Sequence, residues 1–80
     1  MTRRLVVYSK PDCPLCDILK AQLDSLDARV ALDVKIVDIT TDASLEEDFR
    51  LEVPVLFVDG RKAAVGKIED AELVRILEDR

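Results

Sequence analysis

The 80-residue sequence has no histidine, only two cysteines and only two glycines. Without histidine, catalytic triads and dyads that use imidazole as a base are excluded, and so are zinc sites with histidine ligands. No apolar run approaches the roughly 20 residues that a membrane-spanning helix needs, and the segment after Met1 has too few apolar residues for a signal peptide. We therefore expect a cytoplasmic protein with no membrane partner.

Cationic residues are in the minority, with 12 Lys and Arg against 17 Asp and Glu and a formal net charge of -5. A phosphate backbone would repel such a chain, which argues against nucleic acid as a partner. The hydrophobic fraction is 49%, and Gly and Pro are too few for a disordered or fibrous chain. At this length we expect residues 1–80 to form a single domain and a monomer, with no bound cofactor.

The sequence does contain a regular alternation of strand and helix patterns. Strands are predicted at Leu5–Tyr8, which we expect to be buried on both faces, and at 32–39, 54–58 and 62–65, with a hairpin turn at Asp59-Gly60. Helices are predicted from Pro14 to Leu26, through Glu46–Leu51 with Ser44 or Asp42 as the cap, and from Ile68 to Leu77. Tyr8 and Phe57 are expected in the core. The order β-α-β-α-β-β-α predicts an α/β fold.

Both cysteines fall at the junction of the first strand and the first helix, where Cys13 and Cys16 form a CxxC pair. In a cytosolic protein with a βαβ pattern, this spacing indicates thiol redox chemistry rather than a structural disulfide. The dipole and free N–H groups of the helix start favour a thiolate at Cys13 and can lower its pKa from about 8.5 to about 3.5–7.5. Lys10 would add to this effect, whereas Asp12 and Asp17 oppose it. We predict that Cys13 is the nucleophile and Cys16 the resolving cysteine.

The segment Lys10-Pro11-Asp12-Cys13-Pro14-Leu15-Cys16, followed by Val53-Pro54 ahead of a hairpin and a final helix, resembles glutaredoxins. The resemblance covers nearly the whole chain, and the C-P-L-C variant looks like the small glutaredoxin-like proteins of bacteria. It implies a thioredoxin-like fold, with a central four-stranded mixed sheet flanked by three helices. It also implies a cis Val53-Pro54 bond that faces Cys13, a Val53 backbone that pairs with a bound peptide or glutathione, and Lys10 near a glutathione carboxylate.

Three further residues complete the substrate-binding set that the resemblance implies. Pro14 and Leu15 lie inside the motif, and Leu15 replaces the aromatic residue of the usual C-P-Y-C. Gly66 lies where glutaredoxins carry a Gly-Gly and acidic segment that holds the γ-glutamyl end of glutathione. Here that segment is Ala64-Val65-Gly66-Lys67, with one glycine, which could let a ligand backbone approach.

The sequence therefore predicts a thiol-disulfide oxidoreductase that reduces protein disulfides or mixed disulfides with glutathione. Glutathione or a reductase would serve as the electron donor. Two alternatives stay open. One is a metal-binding or carrier module that uses both thiolates, although a closed zinc site would need two further ligands. The other is a non-catalytic adaptor that keeps the fold in order to bind another protein.

Overall fold

The computed structural model describes residues 2–27 and 29–78. Its strands are β1 (Arg3–Ser9), β2 (Leu32–Asp38), β3 (Val55–Val58) and β4 (Arg61–Val65). Its α-helices are α1 (Pro14–Asp27), α2 (Ala43–Phe49) and α3 (Asp70–Glu78), and a short 3-10 helix spans Ile39–Thr41. Apart from this short turn, the element order is the β-α-β-α-β-β-α order predicted from the sequence.

Strand β1 lies inside the sheet, whose strand order is β2-β1-β3-β4. It pairs with β2 in parallel and with β3 antiparallel, and β3 pairs antiparallel with β4. Helix α1 supplies the long crossover that a parallel pair requires. In the β3–β4 turn, Asp59 and Gly60 have positive φ values of 50° and 86°, as tight hairpin turns require. The predicted mixed sheet of four strands with three helices is confirmed.

One face of the sheet carries the main core. Leu5 and Val7 of β1 lie opposite Val58 and Leu56 of β3, and none of the four is more than 7% exposed. Helices α1 and α3 cover this face with leucines spaced four residues apart, which places each pair on one helix face. These are Leu19, Leu23, Leu73 and Leu77. Burial of this apolar surface is the main favourable contribution to folding.

The opposite face is more open, which corrects two expectations. Val6 and Tyr8 of β1 are only half-buried, so β1 is not buried on both faces. Tyr8 stacks on Phe49 of α2 with ring centres 4.9 Å apart and meets Phe57 edge-on at 5.4 Å. Tyr8 and Phe57 thus belong to a half-buried aromatic cluster outside the main core, because the seven-residue α2 covers only part of this face.

Helix α2 is shorter than predicted. It ends at Phe49 instead of continuing to Leu51, whose side chain is 88% exposed. After Phe49 the chain continues as a turn, in which the N–H groups of Glu52 and Val53 both donate to the carbonyl of Phe49, at 2.8 and 3.1 Å. The exposed Leu51 gains no burial that would favour a longer helix. Of the two predicted caps, the structure has Asp42, whose carboxylate accepts hydrogen bonds from the N–H groups of the second and third helical residues.

Helix α3 begins at Asp70, two residues later than predicted. Ile68 is buried in the main core, and its carbonyl accepts a hydrogen bond of 2.9 Å from the side-chain amide of Gln22 on α1. The same amide donates to the carboxylate of Asp70 at 2.7 Å. A side chain of α1 therefore fixes the segment that leads into α3, and the helix starts after it.

We predict a large difference between two leucines of this fold. Replacing Leu73, which is 0% exposed, with Ala should lower the free energy of unfolding by about 2–5 kcal/mol, because buried methyl groups are lost and a cavity is left. Leu51→Ala makes the same chemical change at an exposed position and should alter the free energy of unfolding by less than about 0.5 kcal/mol. Urea unfolding followed by circular dichroism measures both values, and equal losses would contradict this packing.

Asp38 at the end of β2 provides a prediction about pH. Its carboxylate accepts hydrogen bonds from the hydroxyl of Thr40 at 2.6 Å and from the N–H of Thr40 at 2.9 Å. These two bonds lower the pKa of Asp38, against an opposing effect of desolvation and with a smaller lowering effect from Lys20. Because the folded-state pKa is lowered, the stabilisation of the folded protein by ionised Asp38 is fully present above the ordinary pKa of Asp. It is lost as the pH falls through the folded-state pKa.

An NMR titration of Asp38 should show this lowered pKa. Thr40→Val removes the hydroxyl donor and should raise the pKa of Asp38 towards the usual range. Thr41→Val is the matched control, because the hydroxyl of Thr41 donates to the backbone carbonyl of Asp38 and not to its carboxylate. An Asp38 pKa that is the same in Thr40→Val as in the unaltered protein would refute the role of this bond.

Candidate thiol-disulfide site

Strand β1 leads the chain directly to the two cysteines. After Ser9 the chain turns through Pro11 and Asp12. Asp12 has a φ of 57°, a left-handed conformation that Asp tolerates better than most residues. Helix α1 then begins at Pro14, whose fixed φ and missing N–H suit the first helical position. Cys13 therefore lies immediately before the helix.

Cys13 caps helix α1. Its carbonyl accepts the N–H of Asp17 at 3.1 Å, the first bond of the helix. Its Sγ accepts the N–H of Cys16, also at 3.1 Å. An N-cap side chain normally accepts a free N–H of the first turn in this way. The sulfur of Cys13 thus lies at the positive end of a 14-residue helix.

A disulfide joins Cys13 to Cys16, with the two Cα atoms 5.2 Å apart, a usual separation for such a bond. Cys16 is 0% exposed, whereas Cys13 keeps 8% of its surface in contact with solvent. An incoming thiol or disulfide would therefore meet Cys13 first. The roles of Cys13 as nucleophile and Cys16 as resolving cysteine stay a prediction.

The segment Val53-Pro54 lies at the same end of the sheet. Because β3 is antiparallel to β1, its first residue, Val55, pairs with Tyr8 near the end of β1. The Val53-Pro54 bond is cis, with Pro54 buried and Val53 half-buried. Gly66 donates its N–H to the carbonyl of Pro54 at 2.8 Å, so the end of β4 reaches this place as well.

The other three residues of the predicted substrate-binding set are exposed around the cysteine pair. Lys10 lies on the turn between β1 and Cys13, and Pro14 and Leu15 form the outer part of the first turn of α1. Leu15 is 40% exposed. The topology thus brings the predicted site residues, which come from three distant parts of the sequence, to one end of the sheet.

The side chain of Lys62 on β4 contacts the end of α2 and the loop that precedes Pro54. The Nζ atom of Lys62 bonds the carboxylate of Glu52 at 2.7 Å and lies 5.9 Å from the ring centre of Phe49. It therefore links the end of α2, the loop before Pro54 and the outer strand. A partly exposed ion pair of this kind is worth at most about 1 kcal/mol. This link was not predicted from the sequence, because no motif marks a contact between charges on separate elements.

Within residues 2–27 and 29–78, no group of three or more His, Cys, Asp or Glu side chains is arranged to hold a metal ion. None of the helices described there is long and apolar enough to cross a membrane.

A CxxC disulfide at the start of the helix that follows the central strand, on a mixed sheet of four strands, defines a thioredoxin-like domain with a cysteine pair suited to thiol redox chemistry. The sequence comparison then gives the family, because the model described as Glutaredoxin-like domain (DUF836) matches residues 4–78. The chain belongs to this family, and the resemblance drawn from the motif is confirmed.

Several solved structures share the fold. Protein Ne2328 from Nitrosomonas europaea is 24% identical with a TM-score of 0.81, over 95% of this chain and 92% of its own. Protein XcR50 from X. campestris is 31% identical with a TM-score of 0.77, over 95% and 97%. Reduced desulfothioredoxin from Desulfovibrio vulgaris Hildenborough is 28% identical with a TM-score of 0.68, over 95% and 79%. No curated protein gives a significant sequence match.

The cap geometry predicts unequal reactivity of the two thiols after reduction. Cys16→Ser isolates Cys13, which should react rapidly with iodoacetamide, with a midpoint of the pH profile below about 8.5, because the helix start favours its thiolate. Cys13→Ser isolates the buried Cys16 as the matched control, and this thiol should react slowly. Mass spectrometry of the labelled protein measures both rates. Equal rates, or a Cys13 midpoint at or above that of free cysteine, would disprove the assignment.

Proposed function

We propose that this protein is a thiol-disulfide oxidoreductase that reduces protein disulfides or mixed disulfides. The observation that carries the proposal is the Cys13–Cys16 disulfide, whose more accessible member caps α1. The disulfide closes a loop within one helical turn, and so short a loop restricts the unfolded chain very little. The pair is therefore better suited to exchanging electrons than to stabilising the fold.

The proposed reaction starts from the dithiol form. The Cys13 thiolate attacks one sulfur of the substrate disulfide and forms a mixed disulfide, while the other substrate sulfur leaves as a thiolate and takes up a proton. Cys16 then loses its proton and attacks the sulfur of Cys13. The Cys13–Cys16 disulfide forms, and the first substrate sulfur leaves as the second thiol. Two electrons pass from the protein to the substrate; one proton comes from Cys16, and the other comes from the solvent, which received the Cys13 proton when the thiolate formed.

The dithiol form has to be restored by a donor. Two molecules of glutathione, which become glutathione disulfide, can supply the two electrons, and so can a reductase. Either donor would attack Cys13, because Cys16 is fully buried. We propose the cytoplasm as the setting, since thiols are kept reduced there.

In the proposed complex, the substrate chain lies between Cys13 and the Val53-Pro54 segment. The Val53 backbone would pair with the residues beside the substrate cysteine, and Lys10 would attract a substrate carboxylate. Gly66 borders the same end of the sheet. Apart from Gly66 and its two chain neighbours, no described residue has an atom within 4 Å of the place where a Cβ of Gly66 would be, so a ligand backbone has room to approach there.

Exposed apolar side chains favour a protein as the substrate. Leu15 directly follows Pro14 of the motif, Leu51 precedes Val53 by two residues, and Val65 adjoins Gly66; the three are 40%, 88% and 43% exposed. Burial of such apolar surface against the apolar surroundings of a protein disulfide favours binding. Glutathione is small and anionic, and the net charge of -5 does not favour its approach.

Single cysteine variants test the proposed cycle. Cys13→Ser removes the attacking sulfur and should abolish the reduction of insulin disulfides by the protein. Cys16→Ser keeps the first step but lacks the resolving thiol, so mass spectrometry should find substrate trapped on Cys13. If both variants were as active as the unaltered protein, the assigned roles would be wrong.

A redox titration separates this proposal from its alternatives. The thiols are trapped across a series of glutathione buffers and counted by mass spectrometry, and metal is measured in the same sample. A reversible two-electron step at Cys13 and Cys16 supports an oxidoreductase, and a glutathione adduct on Cys13 supports glutathione as the donor. Bound metal without exchange would point to a metal carrier. If the protein showed neither bound metal nor thiol exchange, the non-catalytic adaptor would be the remaining alternative.

A further inference from the structure

Strand β2 forms an open edge of the sheet. Its neighbour is β1, and no strand formed by residues 2–27 or 29–78 lies beyond it. The four residues at its centre, Asp33 to Ile36, are all exposed, and the apolar pair Val34 and Ile36 are 37% and 43% exposed. An edge with apolar side chains and free backbone groups can pair with a further strand.

The free backbone groups of β2 belong to its even-numbered residues. The carbonyl of Ala31 accepts the N–H of Arg3 at 3.0 Å and so points towards β1. Because these directions alternate along a strand, the odd-numbered residues of β2 face β1. The N–H and C=O groups of Val34 and Ile36 therefore point away from the sheet.

The side chains of β2 are arranged symmetrically about Val34. If two copies of the strand pair antiparallel with Val34 opposite Val34, Asp33 of each copy lies opposite Lys35 of the other. In the same register, Leu32 lies opposite Ile36. Opposite charges and apolar side chains are both favourable cross-strand pairs.

Neighbouring registers lack this complementarity. If the two-fold axis lies at Lys35, the two copies of Lys35 lie opposite each other. If it lies at Asp33, the two copies of Asp33 do. Like charges directly opposite each other are destabilising. Of these three registers, the charges of β2 therefore favour the one centred on Val34.

We propose that β2 is a dimerisation surface on which a second copy of this chain adds its own β2 antiparallel, with Val34 on the two-fold axis. The two Val34 residues exchange N–H···O bonds, and the carbonyl of Leu32 accepts from Ile36 of the other copy. The N–H of Leu32 is already bonded to Asp27 at 3.2 Å, which ends the ladder there. The proposal differs from the monomer expected from the sequence.

The dimer leaves both cysteine sites open. The sites lie beyond the carboxyl end of β1, and β2 runs parallel to β1. Antiparallel pairing of the two β2 strands therefore places the two sites at opposite ends of one continuous sheet. Dimerisation does not depend on the proposed redox function and is tested separately from it.

Sedimentation velocity at protein concentrations up to about 1 mM should show a concentration-dependent dimer. Lys35→Asp makes both charge pairs repulsive and should weaken dimerisation at least about tenfold, and Asp33→Lys should do the same. The double variant D33K/K35D reverses both charges, restores the attractive pairs and should regain the affinity of the unaltered protein to within about threefold. A protein that stays monomeric throughout, or single variants that dimerise like the unaltered protein, would overturn the proposal.

Val34→Pro tests the backbone ladder. Proline at this position removes an N–H that points away from β1, so the sheet within one copy keeps its bonds while the ladder between copies loses its central pair. Dimerisation should be lost, with the circular dichroism spectrum unchanged. A folded Val34→Pro variant that still dimerises would overturn the proposal. If the variant does not fold, the charge variants decide, because their exposed positions tolerate substitution.

Discussion

Backbone hydrogen bonds hold strand β1 on both of its edges, and the rest of the structure depends on this double pairing. The parallel pair with β2 requires a crossover, so α1 has to begin just beyond the end of β1. The antiparallel pair with β3 requires the next strand to start at that same end. The pairing of the strands thus brings Cys13 and Pro54 to the same end of the sheet.

Much of the fold could be predicted because the signals are local. The spacing of three and four residues in α1 and the apolar strands flanked by turn residues depend on nearby residues alone. The burial of the second face could not be predicted in this way. How much of Tyr8 and Phe57 is covered depends on the length of α2 and on where Phe49 places its ring, and both are outcomes of packing.

The cysteine pair of the candidate site could also be identified from its spacing. The start of α1 at Pro14, directly after Cys13, was predicted as well. The bond from the N–H of Cys16 to the sulfur of Cys13 was not, because it depends on the orientation of the Cys13 side chain, which a sequence pattern does not specify. The contact between Glu52 and Lys62 is harder still to foresee, since it joins two charges across separate elements with no motif to mark them.

Because the sulfur of Cys13 caps α1, the reduction potential of the disulfide is coupled to the stability of the first turn of this helix. In the disulfide the acceptor at the helix start is a neutral sulfur, and after reduction it is a thiolate, which is a stronger acceptor at a positive dipole. In a thermodynamic cycle, any free energy by which the helix start favours the reduced cap makes the disulfide a stronger oxidant by the same amount. A substitution that alters only how Cys16 presents its N–H would therefore shift the redox equilibrium without changing either sulfur.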